Sequence, residues 1–132
     1  MEICRRAFEA FERLDVEAAV EASLEYVDPE IVFQSAIVSG AEGKTFRGLD
    51  GYRQWASESA AAFDELRTAP EEFRDLGDDV LMLGRVSARG RGSGVAVESP
   101  VAFLCTLRDG RLVHVRGYLA WDEALAAAGL QE

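Results

Sequence analysis

Cys105 and His114 flank an Asp109-Gly110 turn signal. A thiol facing an imidazole is the arrangement that makes a cysteine nucleophilic. Three other stretches invite chemistry. SGAEGKT (39–45) ends like a phosphate-binding loop, but the glycine that motif needs five residues before Gly43 is Val38, and no helix begins directly after Thr45. RGRGSG (89–94) looks like half of a dinucleotide fingerprint, yet strand-like segments flank it on both sides, so it reads as a hairpin tip whose arginines could meet an anion. The carboxylate pairs Glu71-Glu72 and Asp78-Asp79 would need to point into one cavity to act together. The Gly77-Asp78 turn chemistry places them at a turn and a strand edge instead.

One histidine excludes a multi-histidine metal site in a monomer, and neither metal nor cofactor is expected. Two cysteines, both in apolar patterns, are too few for a disulfide framework. A net charge of −10 disfavours nucleic acid. The one basic grouping, Arg85, Arg89 and Arg91, falls on the hairpin. With 132 residues, 48% hydrophobic and 29% charged, the chain fits one domain (1–132) with its own core. No apolar run approaches a membrane span, and the N-terminus lacks a signal-peptide pattern, so the cytoplasm is the expected location.

The elements that would position these residues follow from periodicity. Ile3, Ala7, Phe8, Phe11 and Leu14 fall at helical spacing. Asp15 reads as an N-cap to a second helix, which Pro29 should stop at Asp28. Ile31–Val38 reads as a strand, followed by a Gly-rich loop, SGAEGKTFRG. Leu49, Tyr52, Trp55, Ala56, Ala60 and Phe63 form the stripe of a third helix. Strands around 66–75, 79–89, 95–107 and 111–119 then make a meander, and a short helix ends at Gly129. Helices first and an antiparallel sheet after is an α+β arrangement.

In this order, RRAFEAFERLDVEAAVEAS, DPEIVF, FRGLDGYRQWASE, PEEFRDLGDDVLML, TLRDGRLVHVRGY and EALAAAGL resemble the SnoaL-like, ketosteroid-isomerase-like branch of the nuclear transport factor 2-like superfamily. The resemblance spans nearly the whole chain. It implies a cone in which three helices of the N-terminal half pack on a strongly curved, mixed or antiparallel sheet around a central pocket. Members include isomerases, polyketide cyclases, epoxide hydrolases and non-enzymatic modules, so the fold does not name a function. Carried over residue by residue, the isomerase base falls on Gln34, the oxyanion tyrosine near Ala7 and the protonated aspartate on Phe103. An amide, a methyl and a phenyl ring cannot move that proton. The epoxide hydrolase acid falls on Gly117, and Ala120 stands where many members keep another.

The dyad depends on strand register. A two-residue turn sets Cys105 opposite His114, whereas a three-residue loop with a bulge at Gly110 sets it opposite Val113. The three-residue register segregates apolar residues more cleanly and is the expected one, leaving no dyad. It predicts a pocket walled by Val101, Phe103, Val115, Gly117 and Leu119. The helices add Phe11, Tyr52, Trp55 and Phe63, with Gln34 the main polar group. Such a wall suits a small apolar ligand, or simply fills a core. His114, Arg116 and Tyr118 on the other face suggest a homodimer interface. Three readings remain open: a small-molecule binder, an isomerase, cyclase or hydrolase, and a dimerisation or partner-recognition module with a vestigial pocket.

Overall fold

The computed structural model describes residues 2–35 and 45–130. The elements run α1 (Glu2–Arg13), α2 (Val16–Ser23), a 3₁₀ turn (Leu24–Tyr26), β1 (Val27–Gln34), β2 (Thr45–Arg47) and α3 (Gly48–Ala62). The long strands β3 (Phe63–Asp75), β4 (Asp79–Gly90), β5 (Ala96–Arg108) and β6 (Arg111–Tyr118) follow, and α4 (Trp121–Ala127) closes the chain. The six strands lie in the order β2-β1-β6-β5-β4-β3. Only β1 and β6 run parallel, and every other neighbouring pair is antiparallel. The sheet is therefore mixed and open, the α+β arrangement expected.

The bend comes from bulges, which shorten one strand against its partner. In β3 the register slips between Asp64 and Arg67, where Glu65 takes a positive φ of 55°, and again between Pro70 and Glu72. Gly84 pairs with Pro70 at the second bulge, and a side chain there would collide with the Ala69 carbonyl oxygen and sit 3.0 Å from the Pro70 Cα. The strands can cross that closely only over a glycine.

Several boundaries differ from the sequence expectation. The second helix ends at Ser23, not Asp28, and Pro29 lies inside β1. Proline is tolerated because the β1–β6 ladder is irregular between Val27 and Val32, and β2 pairs only with residues 32–34. Thr45–Arg47, assigned to a loop, is an edge strand that turns Phe46 into the core opposite Phe33. Residues Ile37 and Val38 of the expected first strand, and Gly43-Lys44, lie outside the described residues. Phe63, read as the end of the third helix, starts β3.

The β5–β6 turn corrects the register argument. Arg108 pairs with Arg111, so the loop has two residues, with Asp109 and Gly110 at φ 52° and 76°. Both central residues are left-handed, the conformation an Asp-Gly hairpin favours. A bulge then absorbs one residue: Leu107 faces Leu112, but Thr106 faces His114. Past it, Cys105 faces Val115. Apolar segregation is restored in β6 rather than in the loop, and Leu112, not Val113, enters the core.

The sheet is covered on both faces. Against the inner face, α1, α2 and α3 bury a cluster including Phe8, Val20, Phe33, Trp55, Met82 and Phe103. Against the outer face, α4 covers Leu81, Leu83, Ala102 and Leu104. Trp121 anchors that helix by donating its indole N–H to the carbonyls of Gly84 (3.0 Å) and Val101 (3.1 Å).

Candidate functional site

Inside the cone, between α1, α3 and the inner sheet face, lies a cavity of about 30 Å³. Its wall is built from Ala7, Phe8 and Phe11 of α1, Val27, Ile31 and Phe33 of β1, Tyr52 and Trp55 of α3, Thr68 of β3, Phe103 of β5, and Leu112 and Val115 of β6. Helical spacing presents Ala7, Phe8 and Phe11 on one face, and the period-two alternation of Ile31 and Phe33 delivers β1. Six aromatic rings form most of the surface. Phe33 and Trp55 lie 4.7 Å apart, Phe8 and Phe103 5.5 Å, and Phe11 and Trp55 5.9 Å, while Tyr52 stacks on Trp55 at 6.1 Å with 6° between the planes.

The polar atoms of this wall are hydroxyls and an indole. Ser23 Oγ donates to the Val20 carbonyl at 2.9 Å, so the Tyr52 hydroxyl 2.9 Å away is the donor to Ser23. Burial pushes the Tyr52 phenol far above its ordinary range, and the bond to Ser23 offsets that only in part. Tyr52 is a fixed neutral donor and not a base. Trp55 Nε1 donates to Ser35 Oγ at 3.0 Å. Thr68 adds a buried hydroxyl from the sheet. Among the described residues of the wall there is no carboxylate, histidine, lysine or arginine. The described residues also hold no cluster of three or more acids, histidines or cysteines that could bind a metal.

Of the residues the sequence put in the pocket, Phe11, Tyr52, Trp55, Phe103 and Val115 share this wall. Val101 is fully buried in the same core but does not reach the cavity. Gly117 pairs with Phe103 two residues beyond Val115. Phe63 lines a surface cleft with Asp15, Glu17 and Arg89, and Leu119 lies beyond β6, 42% exposed.

Gln34 requires a correction. Phe33 takes the inner face, so the alternation turns Gln34 outward, where its Oε1 lies 3.1 Å from His114 Nε2. The inner-face residue at the end of the first strand is therefore a phenylalanine. Ala7, Phe33 and Phe103, which line the wall, carry no proton-transfer group. Cys105, fully buried, and His114 lie on opposite faces, so no dyad forms.

Several other charged side chains are engaged elsewhere. Arg91 binds Asp64 at 2.7 Å and the carbonyls of Ala60 (2.9 Å) and Phe63 (3.4 Å), which pins the hairpin tip to the end of α3. Glu72 pairs with Arg74, Asp79 accepts from Thr106 at 2.8 Å, and Arg53 holds Glu21 at 2.8 Å. Asp15 precedes α2 in extended conformation, but its carboxylate caps no N–H and instead binds Arg67 on β3. On the outer face, Tyr118 packs against α4 of its own chain, while His114 lines an open groove with Val32 and Thr106.

The sequence missed Phe8, Val27, Ile31, Phe33, Thr68 and Leu112 as wall residues, and placed Leu112 on the opposite face. Phe33 was legible in the alternation Ile31-Phe33, but a strand start at Val27 rather than Ile31 was needed to weigh it. Thr68 carries no signal beyond its alternation with Leu66.

A family model described as a SnoaL-like domain matches residues 4–115. No curated protein matches the sequence. Solved structures share the fold at low identity. A ketosteroid isomerase-like protein from Catenulispora acidiphila, in complex with trimethylamine, is 18% identical with a TM-score of 0.74, covering 98% of this chain and 94% of its own. A nuclear transport factor 2-like protein of unknown function from Burkholderia pseudomallei is 20% identical with a TM-score of 0.76, covering 96% and 94%. A protein from Jannaschia sp. CCS1 assigned as a SnoaL-like polyketide cyclase is 20% identical with a TM-score of 0.72, covering 99% and 92%.

Proposed function

This chain belongs to the SnoaL-like domain family, and we propose that within it the protein binds a small, uncharged, apolar or aromatic molecule inside the cone and does no acid–base chemistry on it. The supporting observation is the wall itself: six aromatic rings, a tyrosine whose hydroxyl is already committed to Ser23, and one threonine hydroxyl. Rings of this kind offer dispersion and stacking to a flat ligand. A general base needs a group that can lose and regain a proton near neutrality, and none lines the described wall.

Size narrows the ligand. A volume of about 30 Å³ holds a water or two, whereas pockets for drug-sized ligands span roughly 300–1,000 Å³. The occupant is therefore small, or it enters by displacing the α1 wall. A solved structure with a ketosteroid isomerase-like fold is in complex with trimethylamine, a ligand far below drug size; being an amine, it bears on the size of the guest and not on its charge. In the same reading the protein pairs with a second copy through His114 and Arg116 of the outer face; sedimentation of an Arg116→Asp variant as a monomer beside a dimeric parent tests that part.

The ligand reading is tested by thermal shift with indole, toluene, phenol, terpenoids, steroids and aromatic polyketides. Stabilisation by small neutral aromatics, with little response to carboxylates or amines, is expected. No stabilisation by any of them would remove the reading. Turnover of a cyclisable polyketide or an unsaturated ketosteroid would replace it with the enzymatic one, as the assignment of the Jannaschia relative suggests.

A further inference from the structure

We propose that Cys4 and Cys105 form a redox-responsive dithiol, which closes to an intramolecular disulfide tying α1 to β5. Both cysteines are free and fully buried in the inner-face core. Two contacts along one line bracket them. Phe8 and Phe103 approach to 5.5 Å between ring centres. Cys4 lies one helical turn before Phe8, about 6 Å along the axis, and Cys105 lies two residues after Phe103 on the same strand face, about 6.6 Å on. The next contact fixes the direction: a side-chain carbon on Gly110, past the end of β5, would sit 3.6 Å from Ile3 Cδ1. The first turn of α1 thus runs from Phe103 towards the β5–β6 turn, and Cys4 comes down on Cys105 between the two.

The thiols perturb each other as neighbours do. The Cys4 thiol is shifted down, chiefly by Cys105, against the opposing effect of burial. The Cys105 thiol is shifted well up, first by Cys4 and then by burial. Because it sits in the first turn of α1, where fraying of a helix end admits the oxidant, while Cys105 lies inside β5, Cys4 reacts first. Its thiolate attacks a peroxide oxygen, the O–O bond breaks, and Cys4 becomes a sulfenic acid while hydroxide leaves and takes up the thiol proton as water. The Cys105 sulfur then attacks the sulfenic sulfur, the S–S bond forms and a second water leaves, carrying the Cys105 proton. Two thiols are oxidised by two electrons and one peroxide is reduced. Neither thiol lines the cavity, so the bond does not consume the binding site. It would, however, pin the helix that supplies Ala7, Phe8 and Phe11 to the wall. That consequence rests on the binding reading, and the disulfide itself does not.

The experiment treats the full, reduced chain with hydrogen peroxide, unfolds it in N-ethylmaleimide, and maps peptides by mass spectrometry. Joint loss of both thiols into one cross-linked peptide pair, monomeric on a non-reducing gel, is expected. A bond closing so long a loop should raise Tm by roughly 5–15 °C, reversibly with dithiothreitol. In Cys4→Ala no cross-link forms. Free thiols at both positions after oxidation, sulfinic acid on one with the other still alkylated, or a cross-link between chains would overturn the proposal. The wild-type peptide map decides even if the variant fails to fold. Repeating the ligand thermal shift on reduced and oxidised protein separates the two ideas. An absent cross-link defeats the dithiol alone, and an absent ligand response in both states defeats the binding reading alone.

Discussion

His114 Nε2 lies 3.1 Å from Gln34 Oε1 on the outer face of the sheet, so the amide expected in the pocket is held outside it by the histidine expected on the opposite face. The amide oxygen accepts, which requires a proton on Nε2 of the neutral ring. Burial pushes the imidazole below its ordinary value, with Arg116 next, Asp79 opposing and Arg47 adding a little. The folded state therefore binds a proton more weakly than the unfolded chain. Its contribution to stability is in place above the unfolded value of about 6.5 and declines as pH falls through the lowered folded one. Between about pH 7.5 and 5, His114→Gln should lose less Tm than the parent. Equal slopes would show that His114 titrates without cost to the fold.

Tyr52→Phe tests whether the buried hydroxyl is structural. It removes one neutral hydrogen bond while Ser23 keeps the Val20 carbonyl. Urea denaturation should show a loss of about 0.5–1.5 kcal/mol, with ligand response retained. Because burial drives the phenol far upward, alkaline titration at the phenolate absorbance should leave one of the three tyrosines protonated until the chain unfolds. A phenolate signal that the folded parent shows and folded Tyr52→Phe lacks would contradict that placement.

Much of the fold was legible because it rests on periodicity. The α1 stripe and the α3 pair Tyr52 and Trp55 were readable without a partner in view. What failed were quantities set by pairing. The Asp-Gly turn and the apolar segregation of β6 looked like rivals, and a bulge at Val113 satisfies both. A bulge leaves no mark in a single strand. The same limit misplaced Gln34: one residue of phase at the end of β1 exchanges the inner face for the outer. Neither the amide nor the phenyl ring at that strand end can take up a proton near neutrality.

Gly84 sits opposite a bulge in β3, and its pairing with Pro70 leaves no room for a methyl group. Gly84→Ala must push β3 away or open the bulge. A loss of about 1–3 kcal/mol in urea denaturation is expected, the range for overpacking. Gly77→Ala, at a turn with open space around it but a φ of 94°, should cost backbone strain only and leave the cavity intact. If Gly84→Ala were neutral, the curvature would have to be set by the β3 bulges without this close crossing.

Phe103→Ala asks what the cavity is for. The ring packs 5.5 Å from Phe8 and 6.2 Å from Phe33, and it is 4% exposed. Its removal should cost about 3–5 kcal/mol, since the surrounding rings collapse only partly onto the space. That space has no charged lining among the described residues, so it should stay dry and accept an apolar guest. Toluene or indole should then restore Tm in the variant, by about 2.7 kcal/mol at a hundredfold excess over its Kd. Comparison with the parent carries the information. If both respond, the native cavity already opens to ligands of that size, and the binding reading gains. If only the variant responds, the native rings fill the cone, and the wall is a core rather than a site.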